Sequence, residues 1–277
     1  MTPSGSNAES DAIHPYSAPD MIELDNLSFA WPDGPTILDK LSLKIASGEK
    51  VVLLGANGCG KSTLLKLMNG LIFPQSGRLL WQGESVQQAS FKRRDFARRF
   101  RSECALLFQH PEAMLFNPTV REELAYTLKK LGRPNIEATV EHWAGELRIT
   151  GLLDKASFNL SGGEKQKIAL AALLALDPRL LLLDEPGANL DPAAVGWLVD
   201  TLAQSERAVV TSTHNLSLAA ELGNRGIVLG PQGGILFDGP IRGALTDMAL
   251  LERAGLAHRH RHYHSGVEHS HVHGHDW

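Results

Sequence analysis

Apolar residues recur at Ile22, Leu24, Leu27 and Phe29, and again at Leu41, Leu43 and Ile45, alternating or nearly alternating with polar ones. A period of two marks strands with one buried face, and it predicts antiparallel strands near a sheet edge. Residues 51–54 read differently. They form an unbroken apolar run that enters a glycine-rich turn, and residues 180–183 and 208–210 resemble it. Such strands are buried on both faces, as inside a parallel sheet. Helical pattern lies between them. Thr119 with Glu122 three positions on opens one helix with a capping box, Gly132 ahead of Pro134 closes it, and another helix follows Pro192. Residues 91–161 hold most of this pattern and, apart from 104–108, no buried strand. The expectation is a sheet domain carrying an inserted helical subdomain over about 90–161, hence two lobes.

Composition narrows the class. Hydrophobic residues make up 43% and charged residues 21% of the 277, ordinary values for a globular chain. A formal charge of -4 offers no general attraction to polyanions, so nucleic acid is not an expected partner. No apolar run reaches the roughly 18 residues a membrane helix needs. Residues 1–20, rich in Ser, Pro, Ala and Asp, read as a disordered lead-in without the apolar core of a signal peptide. Two cysteines, Cys59 and Cys104, suit a reducing compartment.

The chemistry begins where the run 51–54 ends. Gly55-Ala56-Asn57-Gly58-Cys59-Gly60-Lys61-Ser62, followed by Thr63 and an apolar helical start, fits the phosphate-binding loop G-x-x-x-x-G-K-[ST] in its strand–loop–helix setting. Glycines let the backbone N–H groups turn toward phosphate oxygens, the helix adds its positive end, Lys61 neutralises the β and γ phosphates, and Ser62 ligates Mg²⁺. The second element is the apolar run 180–183 followed by Asp184-Glu185-Pro186, two carboxylates at the C-terminal end of a buried strand. Asp184 is the candidate for the Mg²⁺ shell, and Glu185 for polarising the attacking water in line with the γ phosphate. A third, Leu160-Ser161-Gly162-Gly163-Glu164-Lys165-Gln166, reads locally as a helix start, with Ser161 as N-cap and Glu164 completing a capping box.

These three motifs, with the Ser161 segment lying between the two nucleotide motifs, resemble the ATP-binding-cassette family, and that segment resembles the family's own signature. The resemblance covers residues 21–248 and leaves 249–277 as a C-terminal segment with a histidine-rich tail. It implies an α/β P-loop NTPase of the ABC ATPase type, with a mixed-sheet core, an antiparallel β edge and an inserted α-helical subdomain. It also implies an ATPase that uses ATP and Mg²⁺. Trp31 is implied as the aromatic stacking on adenine, Gln109 as the metal-sensing and coupling glutamine, and His214 as a contact to the γ phosphate. Asp191 is implied as a dimer contact, and Ser161 with Gly163 as binding the γ phosphate held by the other subunit. A homodimer, or a heterodimer with a related chain, is therefore expected beneath separate membrane-spanning subunits, at the cytoplasmic face of the cell membrane. Asn215 stands where the family often has Asp, and Gly187-Ala188 where Thr or Ser commonly follows the Pro.

The segment from Phe108-Gln109-His110-Pro111-Glu112 through Phe116, Pro118, Thr119 and Val120 resembles the ATPases of energy-coupling-factor importers, which take up cobalt, nickel and vitamins. In that family the region faces the coupling helix of the membrane partner. The C-terminus adds His258, His260, His262, His264, His269, His271, His273 and His275, eight of the twelve histidines. Neutral imidazole suits nickel, cobalt, zinc and copper, and histidines spaced along a flexible chain are expected to wrap a metal, Ni²⁺ or Co²⁺ being the favoured cargo. A vitamin or zinc importer, a soluble cassette ATPase without membrane partners, and a metal-storage protein are the alternatives. The basic run Lys92, Arg93, Arg94, Arg98, Arg99 and Arg101 reads as a solvated helix face.

Overall fold

A computed structural model describes the backbone over residues 20–264 and 267–274 and the side chains over 20–257. The expected lead-in, apart from Asp20, lies outside the described residues, as does His275. The first two strands, β1 (Asp20–Ala30) and β2 (Thr36–Ala46), pair antiparallel. The broken alternation between Leu24 and Leu27 has a physical cause. The register shifts there, and Asn26 takes φ 49, so one extra residue is absorbed in a bulge and both leucines return to the buried face.

Next come β3 (Lys50–Leu54), α1 (Lys61–Met68), β4 (Ser76–Trp81) and β5 (Glu84–Ser85). The stretch after them holds α2 (Arg94–Glu103), β6 (Cys104–Leu107), α3 (Val120–Leu131), α4 (Ile136–Glu146) and α5 (Gly162–Leu174). The chain continues through β7 (Leu180–Asp184), α6 (Pro192–Gln204), β8 (Ala208–Ser212), α7 (Leu216–Leu222), β9 (Arg225–Leu229) and β10 (Ile235–Pro240). It closes with α8 (Ile241–Thr246), α9 (Met248–Arg253), β11 (Ala257–His264) and β12 (Val267–Gly274).

The alternating strands do not extend the parallel sheet at its edge. They form a sheet of their own, ordered β2-β1-β4-β5, and the edge strand antiparallel to the parallel strands is β10. The six-stranded sheet is ordered β10-β9-β3-β8-β7-β6, with every pair from β9 to β6 parallel. Its strands divide two cores. Val52 and Leu54, Leu181 and Leu183, and Val209 face the helices. Val51 and Leu53, Leu180 and Leu182, and Val210 face the antiparallel sheet with α1 and α2. Burial on both faces is why these strands read as unbroken apolar runs.

Both capping boxes form. Thr119 accepts from Glu122 N and Ser161 from Glu164 N, and each glutamate side chain bonds back to the cap's backbone. Arg94, Arg98, Arg99 and Arg101 of the basic run lie on α2, with Lys92 and Arg93 just before it, and the helix's Phe96 and Phe100 are fully buried against Trp81. Its cations are exposed but engaged: Arg98 donates to Leu131 O at 2.9 Å, Arg99 pairs with Glu84, and Arg101 lies 4.7 Å from the Phe91 ring centroid and donates to Asn69 O at 2.9 Å. The tail departs from the flexible chain expected of it: β11 and β12 pair antiparallel as a two-stranded ribbon. Histidine at every second position is itself a strand period, which explains the difference.

Candidate nucleotide-binding site

At the C-terminal end of β3 the chain turns through Gly55 and Gly60 into α1. Gly60 has φ 106, and a Cβ there would lie 2.7 Å from Leu38 Cδ2, so only glycine fits the turn. Gly60 caps α1 without a side-chain hydrogen bond, which leaves the helix's first N–H groups aimed outward. Lys61 is buried, and its Nζ donates to Gly55 O at 2.7 Å and Ala56 O at 3.1 Å, so the ammonium sits inside the curl of the loop. Cys59 instead turns into the core beneath the loop, where burial pushes its thiol pKa up.

One cavity of about 380 Å³ is lined by Trp31, Asn57, Gly58, Gly60, Lys61, Ser62, Thr63, Gln109, Asp184 and Glu185. Three stretches of sequence separated by dozens of residues thus meet at the ends of parallel strands, where open α/β sheets bind ligands. Trp31 stands at the mouth, 42% exposed and edge-on to Phe29 with centroids 5.1 Å apart. Gly55, Ala56 and Cys59 shape the loop from behind rather than lining the cavity.

The two carboxylates are held differently. Ser212 Oγ donates to Asp184 Oδ1 at 2.5 Å and accepts from Glu185 N at 3.2 Å. Glu185 has φ 48, the left-handed region that a glutamate rarely adopts, and its Oε1 lies 2.8 Å from His214 Nδ1. His214 itself lines an adjoining cavity with Glu185, Gly187 and Asn215. Asn215 caps α7, accepting from Leu218 N at 2.9 Å, so its departure from Asp keeps the capping role.

Ser161, Gly163 and Asp191 do not join this cavity. Asp191 caps α6 through Ala194 N at 2.9 Å and receives Lys167 Nζ at 2.7 Å, and that lysine holds its carboxyl below the usual aspartate range. Gly163 packs so close to the turn before Asp191 that a Cβ would lie 2.6 Å from Asn189 O. Two residues of this region escaped the sequence reading. Ser212 sits at the polar end of an otherwise apolar strand. Gln166, fully buried, donates from Nε2 to Pro186 O at 3.0 Å and ties α5 to the turn after the carboxylates. Their only signal was a polar residue where the pattern demands an apolar one.

The donor set suits a hard cation. Ser62, Gln109 and Asp184 line the same cavity and carry oxygen donors, one of them a carboxylate, a set that would fit Mg²⁺ completed by water and phosphate oxygens. Among the described residues, no group of three His, Cys, Asp or Glu side chains is placed to hold a metal by itself.

A phosphate loop, an acidic strand end and a cavity joining them define a P-loop nucleoside triphosphatase. Comparison with known proteins narrows the class: the family model described as ABC transporter matches residues 38–188, more than half of the chain. The chain belongs to that family, as an ATP-hydrolysing transporter subunit. It is 39% identical over 243 residues to the "Nickel import ATP-binding protein NikO" of Rhodobacter capsulatus, covering 85% of this chain and 95% of that one. It is 34% identical over 241 residues to the "Energy-coupling factor transporter ATP-binding protein EcfA" of Methanothermobacter thermautotrophicus, covering 85% and 76%. Among solved structures, cbiO1 of Clostridium perfringens, described as part of the ABC transporter complex cbiONQ, matches with TM-score 0.70 at 26% identity, covering 86% of this chain and 95% of that one.

Proposed function

We propose that this ATPase drives import of nickel or cobalt ions through separate membrane-spanning subunits, working as a dimer at the cytoplasmic face of the membrane. The observation that carries the ATPase half is the single cavity joining Trp31, the phosphate loop, Gln109, Asp184 and Glu185. The substrate half is supported by the likeness to a nickel import subunit and by the eight tail histidines, which would take Ni²⁺ or Co²⁺.

In this reading Trp31 stacks on adenine while the backbone N–H groups of residues 55–63 and the start of α1 cradle the phosphates. Lys61 is held in the loop by Gly55 and Ala56 carbonyls and is placed to meet the β and γ phosphates. Ser62, Gln109 and Asp184 would hold Mg²⁺, which would supply charge neutralisation at the phosphates. Glu185 accepts the proton of the attacking water, and His214, bonded to the same carboxylate, fixes its direction and contacts the γ phosphate. Ser161, Gly163 and Asp191, standing apart from the cavity, serve the nucleotide of a second cassette. No described helix is long and apolar enough to cross a membrane, and in this reading separate membrane-spanning subunits supply the pathway. Phe116, 67% exposed and edge-on to Tyr126, and Phe158, 70% exposed and next to Ser157, whose Oγ donates to Asn117 O at 2.7 Å, are apolar side chains suited to a membrane partner. The backbone at Phe116 is rigid, because buried Glu123 accepts from Phe116 N at 2.8 Å and Asn117 N at 2.7 Å.

The test is uptake of radiolabelled nickel and cobalt by cells carrying the chain with its membrane partners, wild type against Lys61→Ala. Uptake lost in the variant is the expected result; a wild type that takes up neither ion overturns the metal assignment and leaves the ATPase standing.

A further inference from the structure

Helix α5 carries a polar side chain where its packing calls for an apolar one. Gln166 is 0% exposed, and the residues just after it, Ile168, Ala169, Leu170 and Ala171, fill the helix-side core. Its Nε2 donates to Pro186 O at 3.0 Å, but its Oε1 has no hydrogen-bond partner among the described residues. A buried acceptor without a partner lowers stability, so durability of the core does not account for an amide here. What the amide holds is the turn that follows the two carboxylates.

That turn is strained near both ends. Glu185 has φ 48 and Asn189 has φ 62, each in the left-handed region. Glu185 N is held from β8, by Ser212 O and Oγ at 3.2 Å each, and Glu185 O accepts from Ala188 N at 3.1 Å within the turn. Pro186 has no N–H, so its carbonyl is its one backbone hydrogen-bonding group, and Gln166 takes it. The rest of the turn lies along the same side of α5. A Cβ on Gly163 would lie 2.6 Å from Asn189 O, and Lys167 Nζ donates to Asp191 Oδ2 at 2.7 Å. Gly163, Gln166 and Lys167 stand at i, i+3 and i+4, one helix face.

We propose that Gln166 is a positioning residue for ATP hydrolysis: by fixing Pro186 O it holds the Glu185 backbone left-handed and so keeps the Glu185 carboxylate in the nucleotide cavity beside His214. The proposal deepens the reading of Glu185 as proton acceptor and rests on it. Without the amide, the residue after Glu185 is free to turn, and the strained φ relaxes toward the ordinary negative region. The carboxylate, whose Oε1 lies 2.8 Å from His214 Nδ1, then leaves its place. Misplacing a reacting group by about 1 Å slows a reaction by up to about 10²-fold. Gln166 does not line the cavity around the phosphate loop, so nucleotide affinity is spared.

The experiment measures turnover, equilibrium ATP binding and the urea midpoint of Gln166→Met in the full chain, alone and combined with Glu185→Gln. Methionine matches glutamine in length and cannot donate to Pro186 O. Turnover should fall at least about tenfold while ATP affinity changes by less than about twofold. The midpoint should stay within about 0.5 M of wild type, because losing the bond to Pro186 O is offset by removing the unpartnered Oε1. Added to Glu185→Gln, the same change should lower turnover by less than about twofold further, since it acts through the group already replaced. Gln166→Glu supplies a rescue. Burial raises the pKa of the introduced carboxyl, and only its protonated form can donate to Pro186 O. Its turnover relative to wild type should therefore climb as pH falls from about 8 to about 6. Wild-type turnover in Gln166→Met, a full further loss on top of Glu185→Gln, or a flat pH ratio for Gln166→Glu would each overturn the proposal. So would a Gln166→Met chain that loses stability and ATP binding along with turnover, because the amide then holds the fold. Unchanged turnover in Glu185→Gln alone would overturn the reading of Glu185, and the proposal with it, a failure distinct from the others.

Discussion

Replacing Ser212 by alanine tests whether one hydroxyl organises both carboxylates of the site. Ser212 is fully buried at the end of β8, its Oγ donating to Asp184 Oδ1 at 2.5 Å and accepting from Glu185 N at 3.2 Å. The amide of Glu185 keeps a second acceptor, Ser212 O at 3.2 Å, so the loss falls on the Asp184 carboxylate. A hydrogen bond to a charged group contributes about 1.5–3 kcal/mol, and Ser212→Ala should lose that much stability. With a urea slope of about 3 kcal/mol/M, the unfolding midpoint falls by about 0.5–1 M. Ser102→Ala is the control, since its hydroxyl meets only Arg99 O at the surface of α2, and it should stay within about 0.5 kcal/mol of wild type. With Asp184 freed, the Mg²⁺ concentration for half-maximal ATP hydrolysis should rise as well. A midpoint shift below about 0.2 M together with an unchanged Mg²⁺ dependence would refute the assignment.

Glu185→Gln removes the proposed proton acceptor but keeps its shape, so turnover should fall by about 10² to 10⁴ while ATP still binds; steady-state hydrolysis against equilibrium nucleotide binding checks both. Burial raises the Cys59 thiol above its ordinary value and pushes Cys104 up to about 12, so the unreactive thiol form persists at neutral pH in both. Alkylation should therefore be slow at pH 7 and quicken as pH rises, with Cys59 ahead of Cys104. Modification at Cys59 should cost ATP binding, because the adduct must lift the loop from the core beneath it. Mass-spectrometric rates that do not change between pH 7 and pH 10, or full ATP affinity after complete modification, would contradict this.

The parts of the site legible in advance were those carried by contiguous residues. The phosphate loop, the acidic strand end and both capping boxes each depend on neighbours within a few positions, and each forms as its local chemistry dictates. Ser212 with Asp184, and Gln166 with Pro186, depend on contacts 28 and 20 residues apart, which no local periodicity encodes. The antiparallel strands were legible as strands, but their gathering into a separate sheet was not, because a half-buried strand looks the same at the edge of one sheet as in the middle of another. The tail shows the converse case. Its period of two was visible but read as metal chemistry alone, and that the two stretches pair as a ribbon is encoded in neither stretch by itself.

Glu185 occupies a backbone conformation that costs an L-amino acid about 1–2 kcal/mol and glycine nearly nothing. A chain optimised for durability alone would drift at this position toward glycine or asparagine, and each step would make the protein sturdier and, on the proposed role of Glu185, idle. Laboratory selection for heat resistance without a demand for hydrolysis should find that exit, so position 185 gauges whether a stabilised variant of this protein is still an engine.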